Sequence, residues 1–160
     1  MAFVYLGLGT NLGDRQKNLK EAKARLFTDD VIDPVGESSI EETEPVDYAD
    51  QPDFLNQVLL VRTNIEPLPL LRLLQHIESD MGRRRTISKG PRIIDLDMLL
   101  YDERIMTTGE LTIPHPAIVK RPFVLRGLVE INRELRDPVS LTPYRDILSK
   151  LSESMRSMND

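Results

Sequence analysis

The chain contains no cysteine and no tryptophan, and aromatic residues make up only 5% of its 160 positions. The missing cysteine rules out disulfide scaffolds, thiolate nucleophiles and cysteine-based zinc sites, and it suits a reducing cytoplasm. No long hydrophobic run is present. The longest apolar stretch near the start, Ala2 to Leu8, is too short to span a bilayer and lacks the basic leader and small-residue cleavage site of an export signal, so no membrane partner is expected. Excess positive charge is also missing: the formal net charge is −5, which argues against nucleic acid as a partner. What remains, 40% hydrophobic and 29% charged residues without repeats or low-complexity tracts, is the composition of one globular domain over 1–160, acting as a monomer, with a tail that frays after about residue 155.

Against this acidic background, Gly82 to Ile94 concentrates Arg83, Arg84, Arg85, Lys89 and Arg92 with no acidic residue among them. The stretch that follows, Ile93-Ile94-Asp95-Leu96-Asp97-Met98-Leu99-Leu100, sets two carboxylates two residues apart in an apolar run. In a β-strand these carboxylates share one face, roughly 7 Å apart, while Leu96 and Met98 fill the other. Desolvating a pair of like charges costs several kcal/mol per ion unless a cation compensates. Oxygen-only donors favour Mg²⁺ or Mn²⁺. The arginine-rich neighbour points to a small polyanion bridged by that metal.

The pattern predicts a strand over Ala2–Leu8, a helix from Asp14 to about Phe27, strands over Val35–Glu44 and Phe54–Ile65, and a helix over Leu68–Met81 stopped by Gly82. Pro45–Pro52 and Gly82–Pro91 read as loops, the second of them mobile. The aspartate strand follows, then a hairpin-like stretch through Leu111–His115 and helices over Pro122–Ile131 and Pro143–Met155. Strand, helix, two strands, helix, strand is the order of an α+β, ferredoxin-like αβ sandwich, here with C-terminal helical additions.

The run Gly7-Leu8-Gly9-Thr10-Asn11-Leu12-Gly13 places its last glycine one residue late for a dinucleotide fingerprint, so Gly7 and Gly9 read as a tight strand-to-helix turn, with Asn11 lining a site at the strand end. No G-x-x-x-x-G-K-[ST] occurs, so any ATP is held without a P-loop. Two plainer readings stand beside the functional ones: the aspartates as the wet face of an edge strand, and the arginines as a solvated loop after a helix C-terminus. His76 reads as structural, whereas His115, with Arg121 six residues on, keeps company with the site.

Four stretches in this order resemble the 6-hydroxymethyl-7,8-dihydropterin pyrophosphokinase family: Tyr5–Gly13, Gln51-Pro52-Asp53-Phe54-Leu55-Asn56, Gly90-Pro91-Arg92-Ile93-Ile94-Asp95-Leu96-Asp97, and Pro114-His115 followed by Arg121 and Phe123. The resemblance covers nearly the whole chain. It implies transfer of diphosphate from ATP to a pterin alcohol, with two Mg²⁺ ions held by Asp95 and Asp97. Phe54 and Phe123 match the pair that sandwiches the pterin, Asn56 the amide that reads its polar edge, and Thr43, Pro45 and Val46 the backbone that completes the pocket; Asn11 is grouped with these pterin-binding residues. Gln75, Glu78, Arg85, Lys89, Arg92, Met98, Thr112, His115 and Arg121 match ATP-binding positions, and Arg83 and Arg92 the catalytic arginines. The sequence departs from the pattern at Lys89, where many members have tryptophan, and at Pro116, where some have tyrosine. Two other classes compete: a two-metal nuclease or nucleotidyl transferase, and a regulatory module that binds pterin or nucleotide without turnover.

Overall fold

A computed structural model describes residues 1–45, 50–82 and 92–159, with side chains through 155. Val46, Arg83, Arg85 and Lys89, and with them most of the arginine-rich loop, lie outside the described residues. The elements are β1 (Ala2–Thr10), α1 (Arg15–Leu26), β2 (Ile32–Glu37), β3 (Glu41–Thr43), β4 (Phe54–Thr63), α2 (Pro67–Asp80), β5 (Asp95–Tyr101), a small hairpin of β6 (Met106–Thr107) with β7 (Thr112–Ile113), a 3-10 turn (Ile118–Lys120), α3 (Pro122–Ile131) and α4 (Tyr144–Asn159). The main sheet runs β2-β4-β1-β5, antiparallel at every pairing, and β3 also pairs with β4.

Alternation along the strands gives the sheet two different faces. Val4, Leu6 and Leu8 of β1, Leu59 and Val61 of β4, and Leu96 and Met98 of β5 pack against Leu19, Ala22 and Leu26 of α1 and Leu70, Leu74 and Ile77 of α2. Tyr5, Val58, Leu99 and Leu100 face the other way, against Val124, Leu125 and Leu128 of α3 and Tyr144 of α4. Burying each large aliphatic side chain contributes roughly 1.5–3 kcal/mol, whereas an exposed helical pair such as Glu21–Arg25 contributes only about 0.3–0.5 kcal/mol. The two apolar clusters therefore hold the layers together.

Local chemistry accounts for the ends of the elements. Asp14 caps α1, accepting from Lys17 N at 3.1 Å, and Pro67 opens α2. Gly82, at φ +89°, takes the left-handed position just beyond α2, as its sequence context predicts. The strand expected over Val35–Glu44 begins earlier and breaks in two, because the Ser38 hydroxyl accepts from Val58 N at 2.8 Å in place of a ladder carbonyl. In α2, Leu70 and Leu74 are fully buried, while Leu71 and Leu73 sit at the core margin. Helix α4 runs to Asn159, its Ile147, Leu148 and Leu151 seated on the second cluster. Between Tyr5 and Leu6 the β1–β5 register shifts, which turns both Leu99 and Leu100 toward α3 and α4 and returns Tyr101 to the α1–α2 side.

Candidate active site

Gly7 and Gly9 are not turn residues. Both lie within β1, where Gly7 pairs with Val58 on one side and Asp97 on the other, and Gly9 pairs with Asn56 and Asp95. Their missing side chains leave the sheet bare on the face that α3 and α4 cover only in part. The result is a cleft of about 1070 Å³, counting its open mouth. A Cβ on Gly9 would lie 3.5 Å from Asn56 Oδ1 and 3.7 Å from Phe54 Cδ1, inside the space between those walls.

The walls are built by strand register. Asp95 and Asp97 line one side, with Leu96 and Met98 buried on the opposite face of β5, as the alternation predicts. Phe54 and Asn56 of β4 and Thr43 of β3 line the other, and Arg121 and Phe123 come in at the start of α3. Asn56 is buried; its Nδ2 donates to Thr43 Oγ1 at 2.6 Å and to Glu41 O at 3.4 Å, so the amide plane is set before any ligand arrives. Phe54 and Phe123, far apart in sequence, thereby meet at one cleft with an amide fixed beside them.

Arg92 also lines the cleft, its Nε 3.9 Å from Asp95 Oδ2. Among the described residues no group of three or more His, Cys, Asp or Glu side chains converges as a metal site. Two carboxylates without a third suit a hard divalent cation that takes its remaining oxygens from water and a phosphorylated ligand. The donor set therefore fits Mg²⁺.

His115 sits just behind this wall. Its backbone N donates to Leu99 O at 3.0 Å, and its Nδ1 accepts from Ala117 N at 3.0 Å, which leaves the proton of the neutral ring on Nε2. Burial lowers the imidazole pKa, and the Arg121 guanidinium lowers it further, against a smaller opposing pull from Asp95. The ring is held as a neutral donor.

Other residues matched by resemblance lie elsewhere. Glu78 is buried and accepts from Leu96 N at 2.8 Å, closing the outer edge of β5 between the two aspartates, whereas Gln75, a turn earlier, is exposed. The Met98 side chain is in the core, which leaves only its backbone for a ligand, and Thr112 is exposed on β7. Pro45 is half-buried beside Thr43 and, among the described residues, is not part of the cleft lining. Asn11 is also absent from that lining, and its side chain is committed to Gln51, Pro52 and Arg92. Sequence reasoning missed Gly7 and Gly9 as the floor, and Ser38, Gln51, Val58 and Gly127 as further lining. The signal for the floor was available: Gly-x-Gly has the same period of two as Asp-x-Asp.

A bare strip of sheet between paired carboxylates and aromatic side chains, with Arg92 and Arg121 in the lining and no P-loop, is a cleft of the class suited to a flat heterocycle next to a polyanion. Comparison with known proteins makes this specific. Residues 5–133 match the model of 7,8-dihydro-6-hydroxymethylpterin-pyrophosphokinase. The 2-amino-4-hydroxy-6-hydroxymethyldihydropteridine pyrophosphokinase of Bacillus subtilis is 42% identical over 131 residues, covering 82% of this chain and 78% of the relative. Its counterpart in Aquifex aeolicus is 36% identical over 146 residues, covering 91% and 90%. The folic acid synthesis protein fol1 of Schizosaccharomyces pombe is 42% identical over 147 residues, but the chain spans only 20% of that protein. A Plasmodium falciparum HPPK-DHPS crystal structure with pterin and p-hydroxybenzoate superposes on 98% of this chain with a TM-score of 0.78. The chain covers 45% of that structure at 17% identity, a likeness of fold alone. The chain belongs to the 7,8-dihydro-6-hydroxymethylpterin-pyrophosphokinase family, as its sequence motifs predict.

Proposed function

We propose that this chain transfers diphosphate from MgATP to 6-hydroxymethyl-7,8-dihydropterin in folate biosynthesis, giving AMP and the pterin diphosphate. The observation that carries the proposal is the β5–β1–β4 register, which sets Asp95 and Asp97 across the Gly9–Gly7 floor from Asn56 and Val58. The heterocycle lies against Phe54 and Phe123, a stacking worth about 0.5–1.5 kcal/mol beyond burial. Asn56, its Nδ2 tied to Thr43, offers Oδ1 to an N–H on the ring edge. Thr43 lines the cleft beside Asn56, and the family match adds Pro45 and Val46 to the pterin-binding residues of this proposal.

The phosphates then fall beside β5, where Arg92 and Arg121 line the cleft. Asp95 and Asp97 hold the two Mg²⁺ ions of this proposal, which when bound neutralise charge on the polyphosphate. The hydroxymethyl oxygen attacks the β-phosphorus in line: the new O–P bond forms as the bond to the α-phosphate oxygen breaks, AMP departs, and the hydroxyl proton passes to solvent. Arg83 and Arg92 act on the charge that builds on the transferring group, since phosphoryl-type transfer depends mainly on positioning and electrostatics, and Arg85 and Lys89 serve ATP binding. His115 supplies its Nε2–H to the nucleotide. Glu78 supports the aspartate strand from its outer edge, Gln75 and Thr112 contact the nucleotide from exposed positions, and Met98 contributes backbone only. No protein nucleophile is required.

The fold is read as ferredoxin-like: the antiparallel order β2-β4-β1-β5, with α1 and α2 both packed on one face, supports it. Action as a single domain and monomer in the cytoplasm, on small molecules rather than nucleic acid, belongs to the same proposal and is supported by the cysteine-free, net acidic sequence. Among the described residues no helix is long and apolar enough to cross a membrane. Incubation with MgATP and hydroxymethyldihydropterin tests the reading: AMP is the expected nucleotide product. ADP or free phosphate as the main product would overturn it, and Mg²⁺-dependent cleavage of oligonucleotides would favour the nuclease class instead.

A further inference from the structure

Strand register lays one row of residues across the sheet beneath the cleft. Asp95 of β5 pairs with Gly9, Gly9 with Asn56, and Asn56 with Glu41 of β3. Three inter-strand steps of about 4.8 Å set the ends of this row about 14 Å apart. Phosphates belong at the Asp95 end, so the hydroxymethyl edge of the heterocycle points there and the opposite, amino-bearing edge points at Glu41. That end is closed by α3. Arg126 donates through Nε to Glu41 Oε2 at 3.1 Å and through Nη2 to Glu41 Oε1, a bidentate pair between residues 85 apart in the chain. One turn on, Glu130 accepts from Ser39 N at 3.0 Å and from Ser39 Oγ at 2.9 Å. Phe123, Arg126, Gly127 and Glu130 thus share one stripe of the helix, with Gly127 pressed onto Val58 between the two links.

We infer that Arg126 is a specificity-determining residue: by holding Glu41 across the end of the slot, it excludes ring systems that carry a substituent on the amino edge. The inference rests on the proposed function, which sets the direction of the ring. Glu41 lines the cleft, whereas Arg126 stands outside the lining and is about half exposed. Exposed pairs contribute little to folding, so this one can be broken while the apolar clusters still hold the layers together. A carboxylate fastened at both oxygens cannot rotate away from an added group. Released from Arg126 it can, and it then leaves an uncompensated negative charge at that end, so the opened slot favours an added cation.

The test is calorimetry with 6-hydroxymethyl-7,8-dihydropterin, its 2-ethylamino analogue and its 2-(2-aminoethylamino) analogue. Wild-type protein is expected to bind both analogues about 10–200-fold more weakly than the parent, the span that an excess methylene costs in a closed pocket. Arg126→Ala is expected to bring the ethylamino ratio to within about threefold of unity and to bind the amine-bearing analogue about fivefold tighter than the ethyl one, the strength of an exposed ion pair. Glu41→Ala removes the wall without leaving a charge: the ratio falls likewise, but the preference for the amine does not arise. That variant also serves as the test should Arg126→Ala fail to fold. Arg145→Ala breaks a similarly exposed pair, with Glu134, outside the cleft and is expected to keep the wild-type ratio. Equal wild-type affinity for the parent and the ethyl analogue, wild-type ratios in both wall variants, or a ratio that falls as far in Arg145→Ala would overturn the inference while leaving the proposed function in place. A gain for both analogues in Arg126→Ala without preference for the amine would reduce the residue to general support of α3 and overturn it as well. Wild-type protein that binds none of the three would instead mark failure of the functional reading.

Discussion

Helix α3 carries a glycine in its interior, at Gly127, where alanine is normally favoured by about 1 kcal/mol. The packing against β4 reverses that preference. A Cβ on Gly127 would lie 3.0 Å from Val58 Cβ and nearer still to its Cγ2, well inside the roughly 3.5–4.0 Å at which carbons attract. Val58 is 3% exposed on a strand paired along its whole length, and its β-branched side chain has few rotamers to retreat into. Relief therefore requires α3 to lift from the sheet, an overpacking cost of roughly 3 kcal/mol at the upper end of the usual range. Subtracting the helix-propensity gain, Gly127→Ala is expected to lose about 2 kcal/mol, a fall in melting temperature of about 4–8 °C for a chain of this size. Phe123, one turn earlier on the same helix, should move with it, so pterin affinity falls as well. Calorimetric melting of Gly127→Ala beside Gly109→Ala, whose Cβ would meet nothing within 4 Å, isolates the effect. Adding Val58→Ala should recover stability beyond additivity. A melting temperature for Gly127→Ala at or above wild type would refute the reasoning.

Gly9→Ala is expected to melt within about 2 °C of wild type, because its Cβ meets Asn56, Phe54 and Asp95 only at 3.5–4.0 Å, yet to weaken pterin binding at least about tenfold by raising the cleft floor; equal affinities in calorimetry would show that the floor is not used. Asp97→Asn should reduce Mg²⁺-dependent ATP binding by on the order of tenfold, ~1.4 kcal/mol, and leave the weak metal-free binding unchanged, which calorimetry with and without chelator measures directly. The His115 imidazole should titrate below the ordinary histidine value in NMR spectra, because burial and Arg121 disfavour its charged form. Its folded pKa being lowered, the unfolded chain binds more protons between that value and about 6.5, so stability rises with pH across this window and is lost as pH falls through it; urea unfolding near pH 5 and pH 7 should show a smaller difference in His115→Asn than in wild type.

Strand periodicity made Asp95 and Asp97 legible because charge against an apolar background has an unmistakable period of two. The same period in Gly7 and Gly9 passed for a turn, since Leu12-Gly13 does turn only a few residues later and glycine carries no polarity to mark a face. Element order along the chain was readable, and with it the antiparallel sheet. The break between β2 and β3 was not, because it depends on the Ser38 hydroxyl meeting Val58 N across the ladder. Residues carried over by resemblance fared according to whether their side chains reach the cleft: Phe54, Asn56, Phe123, Arg92 and Arg121 do, while Asn11, Glu78 and Met98 are claimed by buried contacts that no local pattern announces. The Asn11 side chain in particular is held by partners that the chain brings back from residues 51, 52 and 92.

The central claim is that this cleft moves an intact diphosphate onto the pterin alcohol. Phosphorus NMR of the reaction with MgATP and hydroxymethyldihydropterin tests it most directly. The expected spectrum shows AMP together with a pterin product bearing two mutually coupled phosphorus resonances, absent when Asp95 and Asp97 are both replaced by alanine. A pterin product with a single uncoupled phosphate and ADP, or the same spectrum from the doubly substituted protein, would contradict the account.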